Sequence, residues 1–456
     1  MKKWMYAFAW LLIVLITACD NPKKQSDPLA EKVRQEFKRS WDGYKKYAWG
    51  HDVLKPLSKS HSDWYAQSLH ISPIDAYSTM KVMGLDEEAN EVHNYIVHEA
   101  NFDKDLDVKT FEVNIRILGG LLAMYQYIHD EKVLDLARDF GDRMLAAFNS
   151  PTGIPYYWFN LKTGAAKGAE INVAEAGSYM LEMGVLSRFS DDPKYYEAAK
   201  KASLAIYDRR SEIGLIGERI NVESGEWTDE RSHVGCCIDS YLEYLYKSWL
   251  LFGDREAKGM WENSIAAINK YVAEDHENGF WYGQADMQTG EMMNRIVTLY
   301  DAYFPALLAI SGDVERAEKL QRSWDKLWDE NGLEPKVYDY GLDSITNPGY
   351  DLNPEIIESA YYLYKITGNE KYRKMNEKYF ADLLEHCKND VAFHSMQNVI
   401  TKEPRDNMPT FFFAETLKYL YLTFSGKDEN FLEDHVFSTE AHPFRKNQFK
   451  AHKQND

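Results

Sequence analysis

The sequence predicts an all-α protein whose helical hairpins close into a toroid, and three observations support this. From residue 30 to about 425, apolar residues recur at helical spacing between short polar or Gly/Pro breaks, with few alternating strand patterns. The helices come in two kinds. "TFEVNIRILGGLLAMYQYI" (110–128) is apolar nearly all round, as an inner helix must be, whereas "EKVLDLARDFGDRMLAAF" (131–148) has one apolar face and one charged face, as an outer helix must. The inner-type runs also carry acids: Glu112, Glu182, Glu243, Asp301, Glu358 and Glu415 recur roughly every 60 residues, the mark of a repeated hairpin. An open solenoid has no reason to place a carboxylate at a similar point in successive buried helices. A closed ring does, because all of them then face one cavity.

The first nineteen residues stand outside that ring. Lys2 and Lys3 precede the apolar stretch "WMYAFAWLLIVLITAC", which is too short and wrongly flanked for an ordinary membrane span and reads as an export signal. Its end, Ile16-Thr17-Ala18-Cys19, resembles a bacterial lipobox, implying lipidation at Cys19 and an exported, membrane-anchored protein on the periplasmic or cell-surface face. Residues 20–30 then form a polar tether, residues 31–444 the barrel and residues 445–456 a polar tail. After Cys19 only Cys236, Cys237 and Cys387 remain, too few for a disulfide scaffold but enough for one bridge from the adjacent pair to Cys387.

With 72 acidic and 53 basic residues the formal charge is -19, which argues against a protein that tracks nucleic-acid phosphates. The first inner unit is "SPIDAYSTMKVMGL". In the helix starting at Pro354, Glu355 and Glu358 are three residues apart and share a face; Asp239 and Glu243 in "CCIDSYLEYLYKSW" are four apart and do likewise. Any one of these acids is explained by a helix N-terminus or an ion pair. Six or more in matching apolar surroundings are not, because repeated burial of carboxylates is too costly without a cation, a polar ligand or chemistry. No HExxH, EF-hand loop, Cys/His cluster, GxSxG elbow or Walker loop is present. Glycoside hydrolysis needs two carboxyl groups in different environments, and this chain has a surplus of candidates.

The strings "FEVNIRILGGLLAMY", "PTGIPYYWFNLKTG", "GSYMLEMGVLSRFS", "IDSYLEYLYKSWLLFG", "NPEIIESAYYLYKITGNEKY", "FFFAETLKYLYLTFS" and "VFSTEAHPF" occur in this order. Together they resemble the class I α-mannosidases, glycoside hydrolase family 47. "YFPALLAISGDVERA" and "NVITKEPRDNMPTFFFAETLKYLYL" look closer to the endoplasmic-reticulum degradation-enhancing mannosidase-like branch than to the processing enzymes. The resemblance implies an (α/α)7 barrel with a C-terminal plug, a Ca2+ ion and an inverting exo-α-1,2-mannosidase acting on high-mannose glycans as a monomer. It implies Glu112 as general acid, Glu355 as general base and Asp239 as a third essential carboxylate. Glu182, Glu243, Glu358, Glu415 and Glu440 would hold the mannose or calcium-bound waters, and Thr439 the calcium. Three positions depart from the family pattern. Ser78 replaces the second aspartate of "DALDTL", Asn353 replaces an arginine, and Lys336 replaces a glutamate for which Glu334 is a nearby substitute. The alternative these departures raise is a catalytically weak glycan-binding protein that keeps the barrel and the calcium site.

Overall fold

The computed structural model describes residues 27–426 and 430–449. The expected signal segment and Cys19 lie outside the described residues. Among them, seven inner helical segments (71–83, 110–128, 173–190, 239–252, 299–310, 355–367 and 412–424) surround an axis, and seven outer helices (28–47, 86–99, 131–144, 194–207, 255–271, 314–331 and 370–386) surround those. The first helix, Pro28–Tyr47, is the outer partner of the last inner segment, which also packs on the first inner helix, Ile71–Met83. The ring therefore closes as an (α/α)7 barrel, as the acid spacing predicts.

The two ends of the barrel are built differently. Inner helices turn into outer ones through two or three residues. Gly84, His129, Asp191, Gly253 and Gly368 adopt left-handed backbone at the inner C-termini, and Asp130, Asp254, Asp313 and Asn369 cap the outer helices that follow. Each such cap contributes about 0.5–2 kcal/mol. The return connections are long and fold into small antiparallel sheets of two or three strands. These strands run only two to four residues, too short for a period of two to show in the sequence. The N-termini of the inner helices thus open on the sheet end, and their C-termini on the short-turn end.

Both expected domain boundaries shift outward. Pro28 occupies the first helical turn and Asp27 caps Leu29, so the supposed end of the tether is the start of the barrel. At the other end Pro443–Arg445 is a strand and Lys446–Phe449 a helical turn, held because Phe449 packs its ring on Phe189 and Phe252 at 5.2 and 6.0 Å. One aromatic residue in a polar segment is enough to fasten it.

Candidate active site

The hairpin formed by His435–Phe437 and Pro443–Arg445 enters the short-turn end of the barrel and closes it. Its tip, Ser438 to His442, is polar and almost wholly buried. Asp75 receives it: its carboxylate accepts from Thr410 Oγ1 at 2.6 Å and lies 3.4 Å from His442 Nε2. Gly119 makes room, since a β-carbon there would sit 2.8 Å from the His442 ring. Gly120 faces the other way, against Ile74, so the "GG" pair serves packing on two sides. Lys418 donates to the Ala441 carbonyl at 2.5 Å and to Ser78 Oγ at 2.9 Å. The serine that departs from the family pattern is therefore a plug anchor and does not line the cavity.

Above the plug lies a cavity of about 340 Å³, floored by Thr439 and Glu440 and walled by the N-terminal ends of the inner segments. The structure brings Glu112, Asp239, Glu243, Glu355, Glu358, Glu415, Thr439 and Glu440 together on its lining. They fall into two layers. Glu112, Asp239 and Glu355 are partly accessible; Glu243, Glu358, Glu415 and Glu440 are buried deeper. Trp64, Phe111, Tyr300 and Phe411 supply ring faces around the accessible layer.

The helices explain these positions. Asp239 and Glu355 are the first residues of their helices, where a carboxylate meets the positive end of the dipole. Glu112 lies in a helical turn that continues into a π-helical segment, Asn114–Leu118, and Glu415 lies within a second one, Phe412–Thr416. Such wider turns re-aim side chains and concentrate at functional sites.

Electrostatically the cavity is short of positive charge. Burial first, and then Glu243 and Asp301, push Asp239 up to about 8; burial, and then Glu358 and Asp239, push Glu355 up to about 8. Glu358 rises to about 7 by burial, partly offset by Lys247, and donation from Tyr419 Oη at 3.0 Å orients it. Burial and then repulsion by Glu440, Glu355 and Glu358 hold Glu415 well above the carboxylate range. Lys247 is buried against Glu243.

Three residues differ from expectation. Glu182 does not line the cavity: wholly buried behind it, the side chain accepts from Tyr244 Oη at 2.6 Å and Asn114 Nδ2 at 3.1 Å. Tyr244 Oη in turn accepts the Thr439 N–H at 3.3 Å, so Glu182 supports the plug from a distance. Asp301, acid of the fifth inner segment, accepts from Thr298 N and Oγ1 and is a helix cap. Glu334 is fully buried with neither carboxyl oxygen hydrogen-bonded, and burial raises it well above the ordinary range; Lys336 pairs with Asp351 at 3.3 Å. The bridge to Cys387 that the cysteine count leaves possible is not formed: all three described cysteines are free, and the Cys236 and Cys237 sulfurs lie 3.5 Å apart on the cavity wall.

Sequence reasoning missed two lining residues. Arg116, held between the Trp64 and Phe411 rings, pairs with Glu112 at 3.1 Å, Asp75 at 3.5 Å, and Glu440. The four-residue spacing in "FEVNIR" was its available signal. Glu175, in "NVAEAG", is pushed up to about 7 by burial and then by Glu112, and accepts from Asn172 Nδ2 at 2.7 Å. Its single acid had no partner at helical spacing to mark it.

Residues 36–446 match the model of glycosyl hydrolase family 47. Alpha-mannosidase I MNS5 of Arabidopsis thaliana is 33% identical across 96% of this chain and 81% of its own length. ER degradation-enhancing alpha-mannosidase-like protein 1 of Schizosaccharomyces pombe is also 33% identical, across 91% of this chain, which spans only 56% of that larger relative. Among solved structures, an alpha-1,2-mannosidase from Trichoderma reesei superposes with a TM-score of 0.85 at 25% identity, over 92% of this chain and 99% of its own. A ring of seven helical hairpins, a plugged floor, layered carboxylates and a family match over nearly the whole barrel agree: this chain belongs to glycosyl hydrolase family 47 and is a glycoside hydrolase.

Proposed function

We propose that the chain is an exo-acting, inverting, calcium-dependent α-1,2-mannosidase that removes terminal mannose from high-mannose glycans or their fragments. The carrying observation is one blind cavity whose wall presents Glu112, Asp239 and Glu355 from three different inner segments, above a floor containing Thr439. A pocket closed below by a plug accepts the end of a glycan and excludes an internal segment. Its aromatic rim offers faces for a sugar ring, and its acids can accept from the hydroxyls of a neutral substrate.

In this reading Glu355 takes the proton of the attacking water and Glu112 assists departure of the glycosidic oxygen on the opposite side. Asn353 Nδ2 donates to Glu355 Oε1 at 3.3 Å and orients the carboxylate that would receive that proton. Asp239 faces the same cavity and polarises a sugar hydroxyl.

The residues present fit calcium. Oxygen-only donors suit a hard cation, and among the described residues the deep acids outnumber the cations beside them, Arg116, Lys247 and Lys418, the last pushed down to about 7 by burial. No three acidic, histidine or cysteine side chains converge as direct chelators among the described residues, so Thr439, through its hydroxyl and carbonyl oxygens, would hold the ion with waters fixed by Glu358, Glu415 and Glu440. The bound ion would supply positive charge that keeps nearby carboxyls ionised, and a ligand position for sugar hydroxyls. Export as a Cys19 lipoprotein completes the proposal.

Incubating the purified protein with α-1,2-mannobiose, with and without a calcium chelator, tests this reading. Release of mannose that first appears as the β-anomer by NMR and stops with chelator is expected. Binding without any turnover would instead favour the weak glycan-binding alternative, and initial α-mannose would exclude inversion.

A further inference from the structure

The adjacent cysteines on the cavity wall take no part in the proposed hydrolysis. Cys236 and Cys237 sit in the turn from His233 to Asp239, which is tightly pinned. The Gly235 N–H donates to His233 Nδ1 at 3.2 Å, the Gly235 carbonyl accepts from both Ile238 and Asp239 N–H at 3.0 Å, and the Cys237 carbonyl accepts from Ala174 N–H at 2.8 Å. The Asp301 carboxylate fills the space a β-carbon on residue 235 would need, coming within 1.9 Å of that position. Under these restraints Cys237 adopts φ 86°, a left-handed backbone that a non-glycine residue takes only when its surroundings impose it. The consequence is that both side chains project to the same side, with their sulfurs 3.5 Å apart and both partly accessible.

We propose that Cys236 and Cys237 form a redox-modification site, oxidised by low-molecular-weight disulfides to a bond between adjacent residues that loosens the Asp239 turn and lowers turnover. The chemistry balances. Cys237 loses its proton to solvent and attacks one sulfur of the small disulfide as its thiolate, releasing the first half as a thiolate. That thiolate takes up the proton of Cys236, whose sulfur attacks the mixed disulfide and expels the second half, which regains the proton Cys237 gave to solvent. Two electrons pass to the small molecule, which leaves as two thiols.

Two features make this a reversible site. The cavity gives a small oxidant access to the pair. Adjacent α-carbons are about 3.8 Å apart, below the usual 4.4–6.8 Å for a bridge, so the product is strained and readily reduced. The sulfurs must close to about 2.0 Å, and the backbone between them must turn to allow it. Asp239 N–H shares the Gly235 carbonyl with that turn, so the carboxylate it positions is disturbed.

The turnover half of the proposal rests on the glycosidase reading; the chemical half does not, and the experiment separates them. Full-length reduced protein is treated with oxidised glutathione, alkylated, and examined by peptide mass and by hydrogen exchange. The expected result is a 236–237 peptide lacking two hydrogens and bearing no glutathione, faster exchange across residues 235–240, and turnover reduced roughly tenfold or more. Dithiothreitol should reverse all three. Cys236→Ser and Cys237→Ser should each keep a glutathione adduct or a free thiol and never lose two hydrogens. A wild-type peptide that remains a dithiol, or stops at the mixed disulfide, overturns the proposal. Closure with unchanged exchange overturns its link to Asp239. Absence of turnover before oxidation would refute the glycosidase reading, and mass and exchange would still decide this one.

Discussion

Arg116 reaches back one helical turn to Glu112, Nε to Oε2 at 3.1 Å, while its Nη1 serves Asp75 and Glu440. One guanidinium thereby ties a cavity-wall acid to the acid that receives the plug and to the acid on the floor. Arg116→Met would leave two buried carboxylates without their cation, and removing one partner of a buried pair costs about 3–5 kcal/mol. Urea unfolding measures this; a loss under about 1 kcal/mol would mean the network is dispensable.

Glu112→Gln, Asp239→Asn and Glu355→Gln should each lower turnover on α-1,2-mannobiose by about 10²-fold or more, as expected for lost general acid–base groups. Circular dichroism should show the barrel intact, because each side chain is partly accessible and its amide is nearly isosteric. Near-normal rates in all three variants would disprove the assigned roles.

Asn353 gives Glu355 a neutral donor where the family pattern has a cation. An arginine would favour the ionised carboxylate, lowering a group now pushed up to about 8. Asn353→Arg should therefore move the ascending limb of the pH–rate profile to lower pH. A limb that stays in place would show that another group controls it.

Stability should respond to pH in the direction opposite to an ordinary salt-bridged protein. Asp239 and Glu355 rise to about 8, and Glu358 and Glu175 to about 7, in the folded state, against about 4 in an unfolded chain. A raised carboxyl contributes stability that is present below its unfolded pKa and lost as pH climbs through its folded value. In chelator the melting temperature should fall between about pH 5 and pH 8, and saturating calcium should flatten the slope by favouring the ionised forms. A melting temperature that increases over that range in chelator would contradict the argument.

Thr439→Ala should weaken calcium binding and activity together, with partial rescue at high calcium. If Thr439 were merely a surface or cap residue, the change would cost about 1 kcal/mol and leave the affinity alone. Calorimetric titration of both proteins distinguishes the two.

Much of this was legible in the chain because the barrel repeats itself. The inner/outer alternation and the acid spacing reveal the ring, and Glu112, Asp239 and Glu355 are conspicuous as acids opening apolar helices. Periodicity is blind to contacts between distant segments. It placed Glu182 and Asp301 in the same series as the cavity acids, although one props Tyr244 and the other caps a helix. It gave no sign of Arg116 meeting Glu440, 324 positions away, or of Asp75 meeting His442. Glu334 stands apart for the same reason, since only the fold shows it enclosed without a hydrogen-bond partner.

The marriage of helix 28–47 to segment 412–424, with the plug following directly behind, has a consequence for how the molecule comes into being. A chain that emerges N-terminus first can stack its hairpins one after another as they appear, yet its opening helix must wait, apolar face uncovered, for a partner that arrives almost last. Joining ends so far apart is entropically slow, and the exposed stripe is the kind of surface on which chaperones act. Structure and chemistry then mature together: Thr439 and Glu440 reach the cavity only after the circle is complete, so a partly made chain has walls but no working floor.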